Sequence, residues 1–243
     1  MTYYFIFFGL IILCAIFSGW ASNKVKTTYR AYRGVPVVTN MTGYDTAVRL
    51  LRVNGVHDIA VERVNGELTD HYHPTKKLVN LSASTYGDSS VGSIAVAAHE
   101  IGHVMQKKRG YIPYKIRTAL VPITNIGARL AMPLVLIGLL LDLFVYAGQG
   151  SDLGYWLALF GVALYGLSTL FMLVTLPVEF DASRRARKML VEEGILTEEE
   201  SYGAAKVLNA AALTYVAALA TSLVYFLRFA IWVLMIFGGR RRR

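Results

Sequence analysis

Apolar positions in this 243-residue chain fall into long unbroken runs rather than into the short alternations of a soluble domain. Tyr3 to Trp20 is eighteen residues without a charge, with aromatic residues at both ends, and is long enough for a transmembrane helix. No Lys or Arg precedes it, as the basic start of a cleaved signal peptide would require, so the run reads as an uncleaved span. Lys24, Lys26, Arg30 and Arg33 follow at once, and the positive-inside rule then puts the N-terminus outside and the next region in the cytoplasm.

Residues 21–117 are the largest polar section and are expected to form the cytoplasmic catalytic part. Within it, Thr42 to Val53 predicts a capped helix whose Ala47, Leu50 and Leu51 share one face, ended by Gly55. Ile59 to Val64 alternates and is β-branched, with Asn65-Gly66 as a hairpin turn, and Lys77 to Ser82 predicts a second strand. Asp88-Ser89-Ser90 can cap a helix over roughly residues 90–109, apolar and small at its start and basic at its end.

Residues 118–176 read as a membrane hairpin. Ile112 to Arg129 approaches the bilayer at a shallow angle, Ala131 to Gly148 crosses it, Gly148 to Asp152 is a loop without a basic residue, and Leu153 to Thr175 crosses back. Pro177 is placed to start a new helix. Residues 177–210 carry Arg184, Arg185, Arg187 and Lys188 and are expected on the cytoplasmic side. The segment 211–243 is apolar up to a tail of four arginines. A full crossing would carry that tail outside, so a re-entrant or interfacial arrangement is favoured over a span.

Composition agrees with this pattern. The chain is 55% hydrophobic and 17% charged, with a mean hydropathy of +0.44. The net charge of +9 would suit nucleic acid or an anionic membrane face, and the clustered apolar runs select the bilayer as partner, with no nucleic acid. Cys14 is the only cysteine, which excludes an intramolecular disulfide and a cysteine-based zinc site.

The candidate chemistry lies in His99-Glu100-Ile101-Gly102-His103, an H-E-x-x-H in the helix predicted over 90–109. Two histidines at i and i+4 share a helix face and can hold one Zn²⁺, while the intervening glutamate can act on a metal-bound water. Gly102 costs helix stability, on the order of 1 kcal/mol, which points to a close approach to the backbone there. A catalytic zinc takes three protein ligands. The third can come from His57, His71, His73, Glu179 or Asp181, and Glu179 stands at the cytoplasmic end of a predicted span. For the oxyanion of a hydrolytic reaction the candidate donors are His73, Tyr72, Arg184 and Tyr215. The Lys77–Ser82 strand could offer its edge to an extended peptide substrate.

The runs Asp70-His71-Tyr72-His73-Pro74, Leu78-Val79-Asn80-Leu81-Ser82, Val96-Ala97-Ala98-His99-Glu100-Ile101-Gly102-His103 and Leu176-Pro177-Val178-Glu179-Phe180-Asp181-Ala182-Ser183 together resemble the bacterial membrane neutral zinc metallopeptidases, the YugP-type family, over nearly the whole chain. More distantly they look like the HtpX and CAAX-processing membrane proteases. The resemblance implies one Zn²⁺ per chain held by His99, His103 and Glu179, with Glu100 as general base. Asp181 and Ser183 become candidates to support the ligands. Two positions depart from the pattern: His73 stands where the family usually has Asp, and Ser183 stands where the distant relatives carry Asp four residues after the ligand Glu.

The expectation is a mainly α, multi-pass plasma-membrane protein with a zincin-like cytoplasmic domain, an H-E-x-x-H helix beside a small β-sheet. Its substrate would be a protein or peptide at the membrane. A non-catalytic scaffold or chaperone-like subunit that keeps a zinc-holding fold is the alternative, and Glu100 argues against it because a structural zinc needs no base. A site-2-type intramembrane protease would want Leu-Asp-Gly, and Asp142 instead lies in Leu-Leu-Asp-Leu. A transporter would carry its ionisable groups within the spans.

Overall fold

The computed structural model describes residues 2–141, 144 and 152–238. The predicted outer loop at 148–151 and the arginine tail fall outside the described residues. The elements run α1 (Thr2–Arg33), α2 (Gly43–Val53), β1 (Ala60–Val64), β2 (His71–His73), β3 (Leu78–Ser82), α3 (Ala83–Tyr86), α4 (Val91–Lys108), α5 (Ile112–Leu140), α6 (Leu153–Glu192) and α7 (Glu198–Gly238). The protein is mainly helical, with one small mixed sheet. Among the described residues three helices, α1, α6 and α7, are long and apolar enough to cross a membrane, or four if the two halves of α5, bent by 41°, count as one span. The chain divides into two compact units, and α1, α5, α6 and α7 each contribute residues to both.

One unit comprises residues 1–18, 116–175 and 216–243, among them the most apolar stretches of the chain. Its helices pack through small residues, as helices do where burial of apolar surface gives no drive. A Cβ on Gly138 would lie 2.5 Å from the Gly154 carbonyl oxygen, and one on Gly161 would lie 2.7 Å from that of Ala131, so α5 and α6 touch along their backbones. Val135, Ala158, Val162, Val233 and Phe237 form its core, and Thr169 bonds Ser222 at 2.9 Å. Phe5, Phe8, Leu13 and Ile16 on α1 stay exposed, as a lipid-facing surface would be.

The other unit comprises residues 19–115 and 176–215. Its core gathers Leu50 and Leu51 of α2, Val79 and Leu81 of β3, Ile94, Ala97, Ala98 and Ile101 of α4, and Ala186 and Leu190 of α6. Thr42 caps α2 through a reciprocal capping box with Asp45. Ser90 caps α4, and its hydroxyl donates to Asp88, which also holds Ser93. Gly110, at φ +65°, ends the turn after α4 in the left-handed conformation that glycine allows.

The structure corrects four sequence expectations. Asn65-Gly66 does not turn a hairpin: β1 pairs in parallel with β3, and the antiparallel hairpin is β2–β3, giving the order β1-β3-β2. The first helix does not end at Trp20 but continues to Arg33, where Tyr29 is buried in the core of the second unit. Pro177 starts no helix; α6 runs through it without interruption. Proline removes one backbone bond, yet Val178, Ala182, Ala186 and Leu190, one at every fourth position, are all fully buried, so packing holds the helix there. Finally, α7 is unbroken from Glu198 to Gly238, which leaves no chain reversal for a re-entrant turn.

Candidate metal centre

The centre lies where α4 meets the Leu176–Glu192 part of α6. The two backbones approach closely: a Cβ on Gly102 would sit 2.5 Å from the Ala182 carbonyl oxygen. Glycine at this position lets α4 lie against α6, and the contact brings both histidines to Glu179, eighty residues later in the chain than His99. His99 Nε2 is 3.2 Å and His103 Nε2 is 3.5 Å from Glu179 Oε2. One ligand atom from each of the three residues lies within 4.8 Å of the others. His103 and Glu179 are buried, and His99 is partly exposed.

The far side of each imidazole is also engaged. His103 Nδ1 is 3.0 Å from Gln106 Oε1. The orientation of that amide is fixed, because its nitrogen donates to the Val178 carbonyl at 2.7 Å and to Asp181 at 3.0 Å. A carbonyl can only accept, so Oε1 must face His103, and His103 Nδ1 must donate. In the neutral ring Nε2 is then bare and directed at the shared site. His99 Nδ1 contacts the Ser183 hydroxyl at 3.2 Å. Asp181 is itself held by Arg184 at 3.0 Å and by Arg185, and these partners with Gln106 keep its carboxyl below the usual range against the opposing effect of burial.

Burial raises the Glu179 carboxyl, but the His103 and His99 rings beside it outweigh this and hold it well below the ordinary carboxylate range. Glu100 differs. Burial pushes its carboxyl up to about 7, the His99 ring and a backbone hydrogen bond from Tyr72 pull against that, and Glu179 and Asp70 push with it. The two carboxyls are thus shifted in opposite directions, Glu100 by burial and Glu179 by the histidines. Two imidazole nitrogens and a carboxylate oxygen, with the outer nitrogens hydrogen-bonded, form a donor set that fits Zn²⁺.

The remaining sequence candidates separate. Ser183 and Asp181 both reach the centre through His99 and Gln106. Tyr72 meets Glu100 through its backbone, and burial pushes its phenol up to about 12. Tyr215 lines a cleft with His99 and Glu100. Arg184 is spent on Asp181 and largely exposed. His73 is the last residue of β2, and its Nδ1 accepts from the Lys76 backbone in the turn that follows. His71 bonds Asn80 and His57 is exposed; neither belongs to the cluster. The strand expected to offer an edge, β3, is paired on both sides, and the edge strand that reaches Glu100 is β2. The sequence reading missed Gln106. It stands three residues after His103 on the same helix face, at the head of the polar run Gln106 to Arg109, which masks it as a solvated residue.

The cleft beside His99 and Glu100 has a volume of about 300 Å³. Asp70 lies in its wall with both carboxylate oxygens engaged by Ser82, one by its N–H at 2.7 Å and one by its hydroxyl at 2.9 Å.

Comparison with known proteins gives the family of the chain. Residues 6–234 match the family described as "Putative neutral zinc metallopeptidase". The chain is 41% identical over 235 residues to the "Putative membrane protease YugP" of Bacillus subtilis (strain 168), covering 97% of this chain and 98% of that protein. No solved structure matches it. With a family match across nearly its whole length and a full-length relative at that identity, the chain belongs to the neutral zinc metallopeptidase family.

Proposed function

We propose that the protein is a membrane zinc metallopeptidase that hydrolyses peptide bonds of membrane or membrane-proximal proteins, with His99, His103 and Glu179 as ligands and Glu100 as general base. The observation that carries this reading is the convergence of both Nε2 atoms on Glu179 Oε2, with the buried Glu100 carboxyl between the two histidines on the same helix. Zinc held there supplies a Lewis acid and a water of lowered pKa. Glu100, fixed by the Tyr72 backbone, takes a proton and returns it to the leaving amine, a cycle that suits a carboxyl poised near the working pH. Gln106 holds the His103 ring in the tautomer that keeps Nε2 available, and the Ser183 hydroxyl orients the His99 ring. An extended substrate would pair with the outer edge of β2, beside Glu100.

The compact unit that holds this centre carries most of the chain's lysines and arginines, which supports a cytoplasmic location with the N-terminus outside. The test of function is cleavage of casein or a denatured membrane protein by the purified protein and by Glu100→Gln. The wild type should cleave and the variant should bind zinc yet be inactive. Cleavage by the zinc-loaded variant at the wild-type rate would refute the assignment.

A further inference from the structure

The cleft beside the metal centre has a composition that the centre alone does not explain. Three helices each turn one stripe into it. On α7 the stripe is Val207, Leu208, Ala211, Thr214 and Tyr215, at i, i+1, i+4, i+7 and i+8; α1 contributes Ser22, Val25, Lys26 and Tyr29, and α4 contributes Val96, His99 and Glu100. Val207 and Leu208 are nearly fully buried, and Tyr29 is wholly so. Asp70 is spent on Ser82 and the Thr214 hydroxyl on the Ala211 carbonyl, and most of the exposed surface of the wall is apolar. Ala211 is the smallest residue of the α7 stripe and stands one turn from both Leu208 and Tyr215.

We propose that this cleft receives the substrate side chain next to the scissile bond and selects a large apolar residue there, such as Leu, Met or Phe, with Ala211 setting the depth. The proposal rests on the metallopeptidase reading, which places the reacting bond at Glu100. The same cavity wall carries His99 and Glu100, so a peptide at the centre has this cleft beside it. A volume of about 300 Å³ accommodates such a side chain and stands at the lower end of the roughly 300–1,000 Å³ of small-ligand sites. An apolar pocket discriminates by methylene groups, each worth about tenfold or more in kcat/KM.

The test uses the full-length protein in detergent or vesicles and internally quenched peptides that differ only at the residue beside the scissile bond. Wild-type kcat/KM should favour Leu or Phe over Gly by tenfold or more. Ala211→Phe, which fills the cleft, should lower that ratio at least tenfold at unchanged zinc content, and Leu208→Ala, which deepens it, should raise the preference for Trp. A wild type indifferent to this residue, or a ratio unmoved by both variants, would overturn the proposal. Binding of the same peptides to Glu100→Gln, measured by calorimetry, reads the cleft without turnover. Tighter binding of the Leu peptide, abolished by adding Ala211→Phe, supports it even if no wild-type cleavage is found, an outcome that would remove the peptidase reading alone. Equal binding of the Leu and Gly peptides refutes the cleft's selectivity whether or not the protein cleaves.

Discussion

Gln106 Oε1 lies 3.0 Å from His103 Nδ1, and the amide that carries it cannot turn over because its nitrogen is committed to the Val178 carbonyl. One buried residue on α4 therefore sets the tautomer of the second histidine and ties it to α6. Gln106→Leu should leave the His103 Nδ1–H and the Val178 carbonyl without these partners. Such loss behind a ligand costs roughly 10–100-fold in metal affinity. Competition with a chromophoric chelator should show zinc affinity falling in that range, and Gln106→Glu should not restore it, because its second carboxylate oxygen would face the Val178 carbonyl and Asp181, both acceptors.

Gly102 and Gly87 give a contrasting pair. A Cβ at residue 102 would press into the Ala182 backbone at 2.5 Å, whereas one at Gly87 meets nothing within 4 Å. Gly102→Ala should force α4 and α6 apart, costing about 1–3 kcal/mol by overpacking and moving both histidines away from Glu179. Gly87→Ala should change neither the melting temperature nor the zinc content. Thermal unfolding and elemental analysis on the two variants check this.

Removing the metal should loosen the protein without unfolding it. His99, His103 and Glu179 retain partners in one another and in Ser183 and Gln106, and the core around Leu50, Ile94, Ala98 and Leu190 includes none of them. Treatment with a strong chelator should leave the far-ultraviolet circular dichroism unchanged and lower the melting temperature, because a ligand bound only by the folded state stabilises it. Loss of helical signal on chelation would contradict this.

The α4 half of the candidate centre was legible in the sequence because it is local, while Glu179, eighty residues on, came from the family resemblance. The two histidines and the base fall within one helical turn, Thr42 and Ser90 cap the helices they precede, and Gly102 signalled the close approach that Ala182 makes. What the sequence hid was non-local. Asn65-Gly66 carries the signature of a hairpin, but β1 finds its partner in β3, beyond β2, in a parallel register that no neighbouring residue encodes. Pro177 carries the signature of a helix start, yet the buried stripe from Val178 to Leu190 continues the apolar helix that precedes it. Gln106 was overlooked because a glutamine shows its role only once its two acceptors on α6 are in place.

The central claim is that α4 and α6 together hold one zinc, and zinc stoichiometry in Glu179→Ala tests it most directly. Under chelator competition the wild type should retain one zinc per chain and Glu179→Ala should retain far less, with helical content unchanged. Full occupancy in Glu179→Ala at the same chelator concentration would contradict the account.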